Sequence, residues 1–132
     1  MIHHLSFAVS DLDRSIAFYD GVLEPLGYRR LWTNRREDGF KEAAAGYGDS
    51  EADVFAIRER TSGLIVPGEG FHIAFAGQSE EAVLKFHKAA LSLGGTDNGG
   101  AGLHPEHGEG YFAAFVLDPD GYRIEAVLNS CV

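Results

Sequence analysis

The sequence predicts an α+β protein built from two tandem βαβββ modules. The first observation behind this is an internal repeat. Shifting the 132-residue chain by 68 residues lays HLSFAVSDLDRSIAFYDGVLEPLG, from His4, over HIAFAGQSEEAVLKFHKAALSLGG, from His72, without a gap. His4 meets His72, Phe7 meets Phe75, Ala8 meets Ala76, Phe18 meets Phe86 and Gly27 meets Gly95, which marks two copies of one supersecondary unit. The second observation is that each copy opens on period-two alternation and runs on into a 3.6-residue period. The third is that three strand-like runs follow each helical stretch. Module one then covers about residues 1–60, a linker 61–70, and module two 71–132 of a single domain.

In module one the opening strand covers about 3–9, with Leu5, Phe7 and Val9 on one face and His4, Ser6 and Ala8 on the other. Asp11 or Ser10 can cap the helix that follows, and Leu12, Ile16, Tyr19, Leu23 and Leu26 form its apolar stripe up to Gly27. Strands are then expected at about 28–34, 39–47 and 53–58, the first two joined by an Asp38-Gly39 turn. Pro67-Gly68 punctuates the linker. In module two Phe71, Ile73 and Phe75 alternate with His72, Ala74 and Ala76. Ser79 caps a helix with the stripe Val83, Phe86, Ala90 and Leu93, ending at Gly94-Gly95. Its strands fall at about 95–104, 110–117 and 122–128, the last two joined by DPDG (118–121), a type I turn with Pro119 second. One module alone is too short to bury a good core, so the two pack on each other or on a second chain.

Composition narrows the function. The chain is 45% hydrophobic with a net charge of −9. It is therefore globular, and it repels phosphate backbones and anionic lipid headgroups, which argues against nucleic acid or membrane as partner. No export signal or spanning segment is present, and a cytoplasmic protein is expected. The single Cys131, near the C-terminus, excludes an internal disulfide. Seven of the 17 glycines fall between Gly94 and Gly110, the pattern of a mobile flap or a surface loop. GEGYFA (108–113) fits a loose dinucleotide pattern but leads into a strand, and no GxSxG, Walker or CxxC motif occurs.

The chemistry is read from strand alternation. If the large apolar residues of each opening strand meet the helices, His4 and His72 share the opposite face with Ser6, Ala8, Ala74 and Ala76, whose small side chains leave room for a ligand. On the last strand, YRIEAVL, the same logic turns Arg123, Glu125 and Val127 to that face. Two histidines and one carboxylate, His4, His72 and Glu125, form the ligand set used for Fe(II), Mn(II) and related divalent metals with open positions. The competing reading is an Arg123–Glu125 ion pair on a solvated face.

HxxFxVxDLxxSxxFY at the start, the equivalent His72 and DPDGYRIEAV at the end resemble the vicinal oxygen chelate superfamily across essentially the whole chain. That superfamily groups glyoxalase I, extradiol dioxygenases, fosfomycin-resistance transferases and bleomycin-resistance proteins. The resemblance implies a cup-shaped mixed β-sheet with helices on its outer face, a homodimer, and His4, His72 and Glu125 as ligands of one divalent metal ion, Fe, Mn, Ni or Zn. The implied substrate is a small molecule chelating the metal through two neighbouring oxygens. A shift of 70 residues sets Phe55 opposite Glu125, where glyoxalase I has a fourth ligand, so a three-ligand site is expected, with Asp53 as a remote substitute.

His107 and Tyr111 are the candidate catalytic residues; the resemblance to extradiol dioxygenases implies a histidine and a tyrosine beside the metal ligands, places that His104 or His107 and Tyr111 could take. Arg123, Tyr47, Phe55 and Phe115 are the candidate substrate contacts, with Trp32 as an additional aromatic wall. Few free cations, Arg123 and Arg58, are available for a phosphonate. A glyoxalase- or dioxygenase-like metalloenzyme is therefore the leading reading, and metal-free sequestration of a small molecule, as in bleomycin resistance, is the alternative.

Overall fold

Each predicted helix begins where a side chain satisfies its free amides. In the computed structural model, which describes residues 1–128, Asp11 accepts from the Arg14 amide at the start of α1 (Leu12–Leu23), and Ser79 from the Ala82 amide at the start of α2 (Glu80–Ser92). Cys131 lies outside the described residues. The predicted stripes are buried: Leu12, Ile16, Tyr19, Leu23 and Leu26 in module one, and Val83, Phe86 and Ala90 in module two, with Leu93 partly buried beside them. The helix α1 tightens into a 3₁₀ turn, Glu24–Leu26, which stops at Gly27 (φ 88°) in the left-handed region that glycine adopts at little cost.

Module one forms a sheet of β1 (Leu5–Val9), β2 (Arg29–Asn34), β3 (Ala44–Gly48) and β4 (Asp53–Glu59) in the order β1-β4-β3-β2. Module two forms a second sheet of β5 (Ile73–Gly77), β6 (Thr96–Asp97), β7 (Gly102–Leu103), β8 (Phe112–Leu117) and β9 (Arg123–Leu128), ordered β5-β9-β8-β6 with β7 also on β8. Among the described residues only β1–β4 and β5–β9 pair in parallel, each pair linked through a helix and the intervening antiparallel strands. Both sheets are open and mixed, so the structure is the expected pair of βαβββ units. The strands that carry the repeated histidine motif, β1 and β5, are both edge strands.

Two strands are shorter than the sequence pattern suggests. The run 39–47 begins its pairing only at Ala44. Residues 36–38 instead make a 3₁₀ turn closed by Gly39 (φ 97°), and the loop is tied down by Arg36–Glu59 and Arg35–Asp13 ion pairs, both 2.9 Å. The run 95–104 splits into β6 and β7. Between them Gly99 and Gly100 take positive φ, and the Gly100 amide donates to Asp97 Oδ1 (2.9 Å), turning the chain away before it rejoins β8.

The modules are joined on one side by the two helices, where Gly21 of α1 leaves room for Leu93, just past α2. On the other side the DPDG turn docks onto module one. Tyr19 donates to Asp118 Oδ2 (2.6 Å), Ser10 and Arg14 both bond Asp120, and Tyr122 stacks flat on Phe7 while donating to the Ala8 carbonyl. Burial pushes the Asp118 carboxyl above the ordinary aspartate value, and the Tyr19 hydrogen bond opposes that push. No helix among the described residues is long and apolar enough to cross a membrane.

Candidate metal centre

Sheet register decides which side chains can meet a ligand. Across module one, Ser6, Ala56, Gly46 and Trp32 form one row, and across module two Ala74, Glu125 and Phe115 form the corresponding row. Both rows lie on the face opposite the helices, because Phe7, Tyr47 and Phe55 on the other face pack around Tyr19 of α1. Ser6 and Ala74 are equivalent by the repeat, so the module-one counterpart of Glu125 is Ala56.

That register corrects the alignment of Phe55 with Glu125. The cross-strand pair Gly46–Ala56 of module one corresponds to Phe115–Glu125 of module two at a shift of 69 residues, so the alignment that set Phe55 opposite Glu125 is off by one; the slip of β3 on β4 at Gly48 falls beyond Phe55. An offset of one residue exchanges the faces of a strand. Tyr47, expected in the cavity, is instead buried in the helix-side core at 0% exposure, and Phe55 lies on the same face at 2% exposure, its ring also lining a cleft that runs beside His72. Tyr47 donates to Asp20 Oδ1 (2.9 Å), and burial raises its phenol well above the ordinary value. The aromatic group that does reach the open face of this sheet is Trp32. Its indole lies over Gly46, where a Cβ would fall 2.2 Å from two indole atoms, so only glycine fits beneath it.

In module two the expected residues converge. Glu125 is 1% exposed, and its carboxylate has two partners: the Tyr111 hydroxyl, which donates to Oε2 (2.5 Å), and His72 Nε2, 3.1 Å from Oε1. A buried carboxylate is costly unless it is paired. Arg123, two residues away on the same strand, makes no ion pair among the described residues, so the competing Arg123–Glu125 reading is not formed. Phe115 stands opposite Glu125 in the register, with His104 edge-on to its ring (4.9 Å), His107 at 5.7 Å, and Tyr111 5.2 Å from His107. His104 is further held by Gly100 and Glu106. Burial and the Glu125 carboxylate push the Tyr111 phenol up to about 12, so it remains a donor at neutral pH.

The His72–Glu125 pair suits a divalent metal. Donors about 2.1 Å from one ion and at right angles to each other stand about 3 Å apart, and Nε2 and Oε1 are separated by 3.1 Å. The third expected ligand is not brought to them. His4 precedes β1 in an exposed segment, its Nδ1 2.8 Å from that of His3, and no group of three or more His, Cys, Asp or Glu gathers among the described residues. Beside His72 runs a cleft of about 490 Å³ along β5, lined by Leu5, Val54, Phe71, Ala74 and Phe75. The link from Tyr111 to Glu125 and the clasp of Tyr19 on Asp118 had no signal in the sequence, because 14 and 99 residues separate the partners.

A model of the Glyoxalase/Bleomycin resistance protein/Dioxygenase superfamily matches residues 1–126. The chain belongs to this superfamily. Among the members it resembles, a lactoylglutathione lyase of Haemophilus influenzae is 33% identical over 129 residues, covering 97% of this chain and 92% of that protein. A probable lactoylglutathione lyase of Vibrio parahaemolyticus is 37% identical over 132 residues, covering 97% and 90%. Among solved structures, a glyoxalase/bleomycin resistance protein from Albidiferax ferrireducens superposes with a TM-score of 0.78 at 30% identity, over 95% of this chain and 96% of that one. Within the superfamily, then, this chain resembles proteins named as lyases along nearly its full length.

Proposed function

We propose that this superfamily member is a divalent-metal-dependent enzyme of the glyoxalase type, acting on a small substrate that presents two neighbouring oxygens. The observation that carries the reading is the buried Glu125 carboxylate with His72 Nε2 at the donor spacing of one metal ion. The relatives named lactoylglutathione lyase support the reaction class and nominate lactoylglutathione as the first compound to test.

His72 and Glu125 are the ligands supplied by module two, and His4 is the third. Since His4 stands apart from that pair within one chain, we assign its arrival to a second copy, which makes the working form a homodimer. The exposed apolar residues Ile2, Val54 and Phe71 beside the edge strands β1 and β5 are the surface that such a partner covers. The metal, of the group Fe, Mn, Ni or Zn, supplies Lewis-acid stabilisation of negative charge on the substrate oxygens.

The chain's own residues do the rest. Tyr111, a neutral donor, orients Glu125. His107, half-exposed beside Tyr111 and Phe115, offers the imidazole for moving a substrate proton. Arg123 and Phe115 flank the carboxylate along and across the sheet and contact the substrate, and Trp32 offers a flat apolar surface on module one. The test is the interconversion of lactoylglutathione with glutathione and the corresponding 2-oxoaldehyde, followed in the favourable direction of thioester formation: the reading predicts activity abolished by a chelator and restored by one of the four metals. The alternative, metal-free sequestration of a small apolar molecule, draws on the apolar cleft along β5. Tight ligand binding indifferent to chelator, without turnover, would establish it.

A further inference from the structure

Glu125 has one carboxylate oxygen toward His72 and the other held by a residue from a different part of the module. Tyr111 sits where the glycine-rich segment enters β8, and its main chain is bonded into that segment: the His104 amide donates to the Tyr111 carbonyl (2.7 Å), and the Tyr111 amide to the Gly108 carbonyl (3.3 Å). The rest of the segment meets the sheet through the rings of His104 and His107 on Phe115. Gly108 and Gly110 take positive φ with nothing within 4 Å of where a Cβ would stand, and Glu106 and His107 are exposed. The Tyr111 hydroxyl is thus the bond that runs from this segment directly to the buried carboxylate.

Rotation about the last side-chain torsion of a glutamate exchanges its two oxygens, and that torsion is soft. A hydrogen bond to one oxygen removes the freedom. We propose that Tyr111 is a positioning residue: by holding Oε2 it presents Oε1 beside His72 for the metal, and it ties the order of residues 104–111 to the state of the metal centre. This rests on the metal reading above. Its physical basis is that a partner of a metal-ligating carboxylate fixes the ligand's orientation, and losing such a partner typically lowers metal affinity about 10- to 100-fold. The tie runs in both directions, since a ligand that prefers the ordered segment must also be bound more tightly by it.

The test compares the full-length wild-type protein with Tyr111→Phe, which keeps the ring contacts with His107 and removes only the hydroxyl. Zn²⁺ and Mn²⁺ binding is measured by calorimetry, and amide hydrogen exchange over 104–111 is followed with and without metal. Glu106→Gln, in the same segment but bonded to His104 and not to Glu125, serves as the control. The expected result is at least a tenfold loss of metal affinity in Tyr111→Phe, with wild-type affinity in Glu106→Gln. Exchange over 104–111 is faster in Tyr111→Phe even without metal, and adding metal slows it in the wild type but not in the variant. Wild-type affinity in Tyr111→Phe overturns the proposal. If the wild-type protein takes up neither of these metals nor Fe²⁺ or Ni²⁺, the metal reading fails on its own account. Tyr111 then keeps a tethering role only if the metal-free exchange differs, and identical exchange overturns that as well.

Discussion

The two modules share a scaffold but not their chemistry, and the difference lies in one row of residues. On the helix side they correspond closely, with Phe7 matching Phe75, Phe18 matching Phe86, and an N-cap before each helix. On the open side, module two carries Ala74, Glu125 and Phe115, with His72 and Tyr111 reaching the carboxylate, whereas module one carries Ser6, Ala56, Gly46 and Trp32. The core face of a duplicated unit is held to its pattern by packing, while the open face is free to diverge. Here one copy became a polar centre and the other a smooth apolar surface carrying a tryptophan.

The comparison can be broken at several points. The largest effect belongs to module two: His72→Ala or Glu125→Gln should remove metal-dependent activity by a hundredfold or more, a loss of about 3 kcal/mol in transition-state stabilisation, read from kcat/KM. Next is Phe55→Ala, which should cost about 3–5 kcal/mol of stability in a denaturant titration, as expected for a buried aromatic, with metal binding retained. The same loss of metal binding in this variant would mean that Phe55 belongs to the open face.

Smaller again is Gly46→Ala. The added methyl must displace the indole of Trp32, the single tryptophan, so the fluorescence should shift and stability fall by about 1–3 kcal/mol. The smallest effect is in pH dependence. Burial raises the phenols of Tyr19, Tyr47, Tyr111 and Tyr122 above the ordinary value of 10.0. Each phenol binds its proton more tightly in the folded state, so its contribution to stability is complete below about pH 10 and is lost as the pH rises through the folded values. An ultraviolet titration should show these tyrosines ionising late, together with alkaline unfolding.

Much of the fold was legible because it rests on local signals. Asp11 and Ser79 announce the caps, the 3.6-residue stripes mark the buried helix faces, and Gly27 marks a stop. The alternation that sent His72 and Glu125 to one face also held, since no bulge interrupts β5 or β9. It failed at Phe55, because the spacing between the opening strand and the β3–β4 pair differs by one residue between the modules, so the strand register matches Ala56 and not Phe55 to Glu125. The shortened β3 and the split of β6 from β7 originate in loop hydrogen bonds and positive-φ glycines. His4 was singled out by the repeat, but it stands in an exposed segment before β1, against His3 and apart from His72 and Glu125, a placement that periodicity does not record.

The central claim is that His72 and Glu125 hold a metal ion. The direct measurement is elemental analysis of the purified, untagged wild-type protein beside His4→Ala, His72→Ala and Glu125→Gln variants of equal fold content. The account predicts close to one Fe, Mn, Ni or Zn per site in the wild type and its loss in all three variants. A wild-type protein that stays free of metal after reconstitution, or a metal content unchanged in His72→Ala, would contradict it.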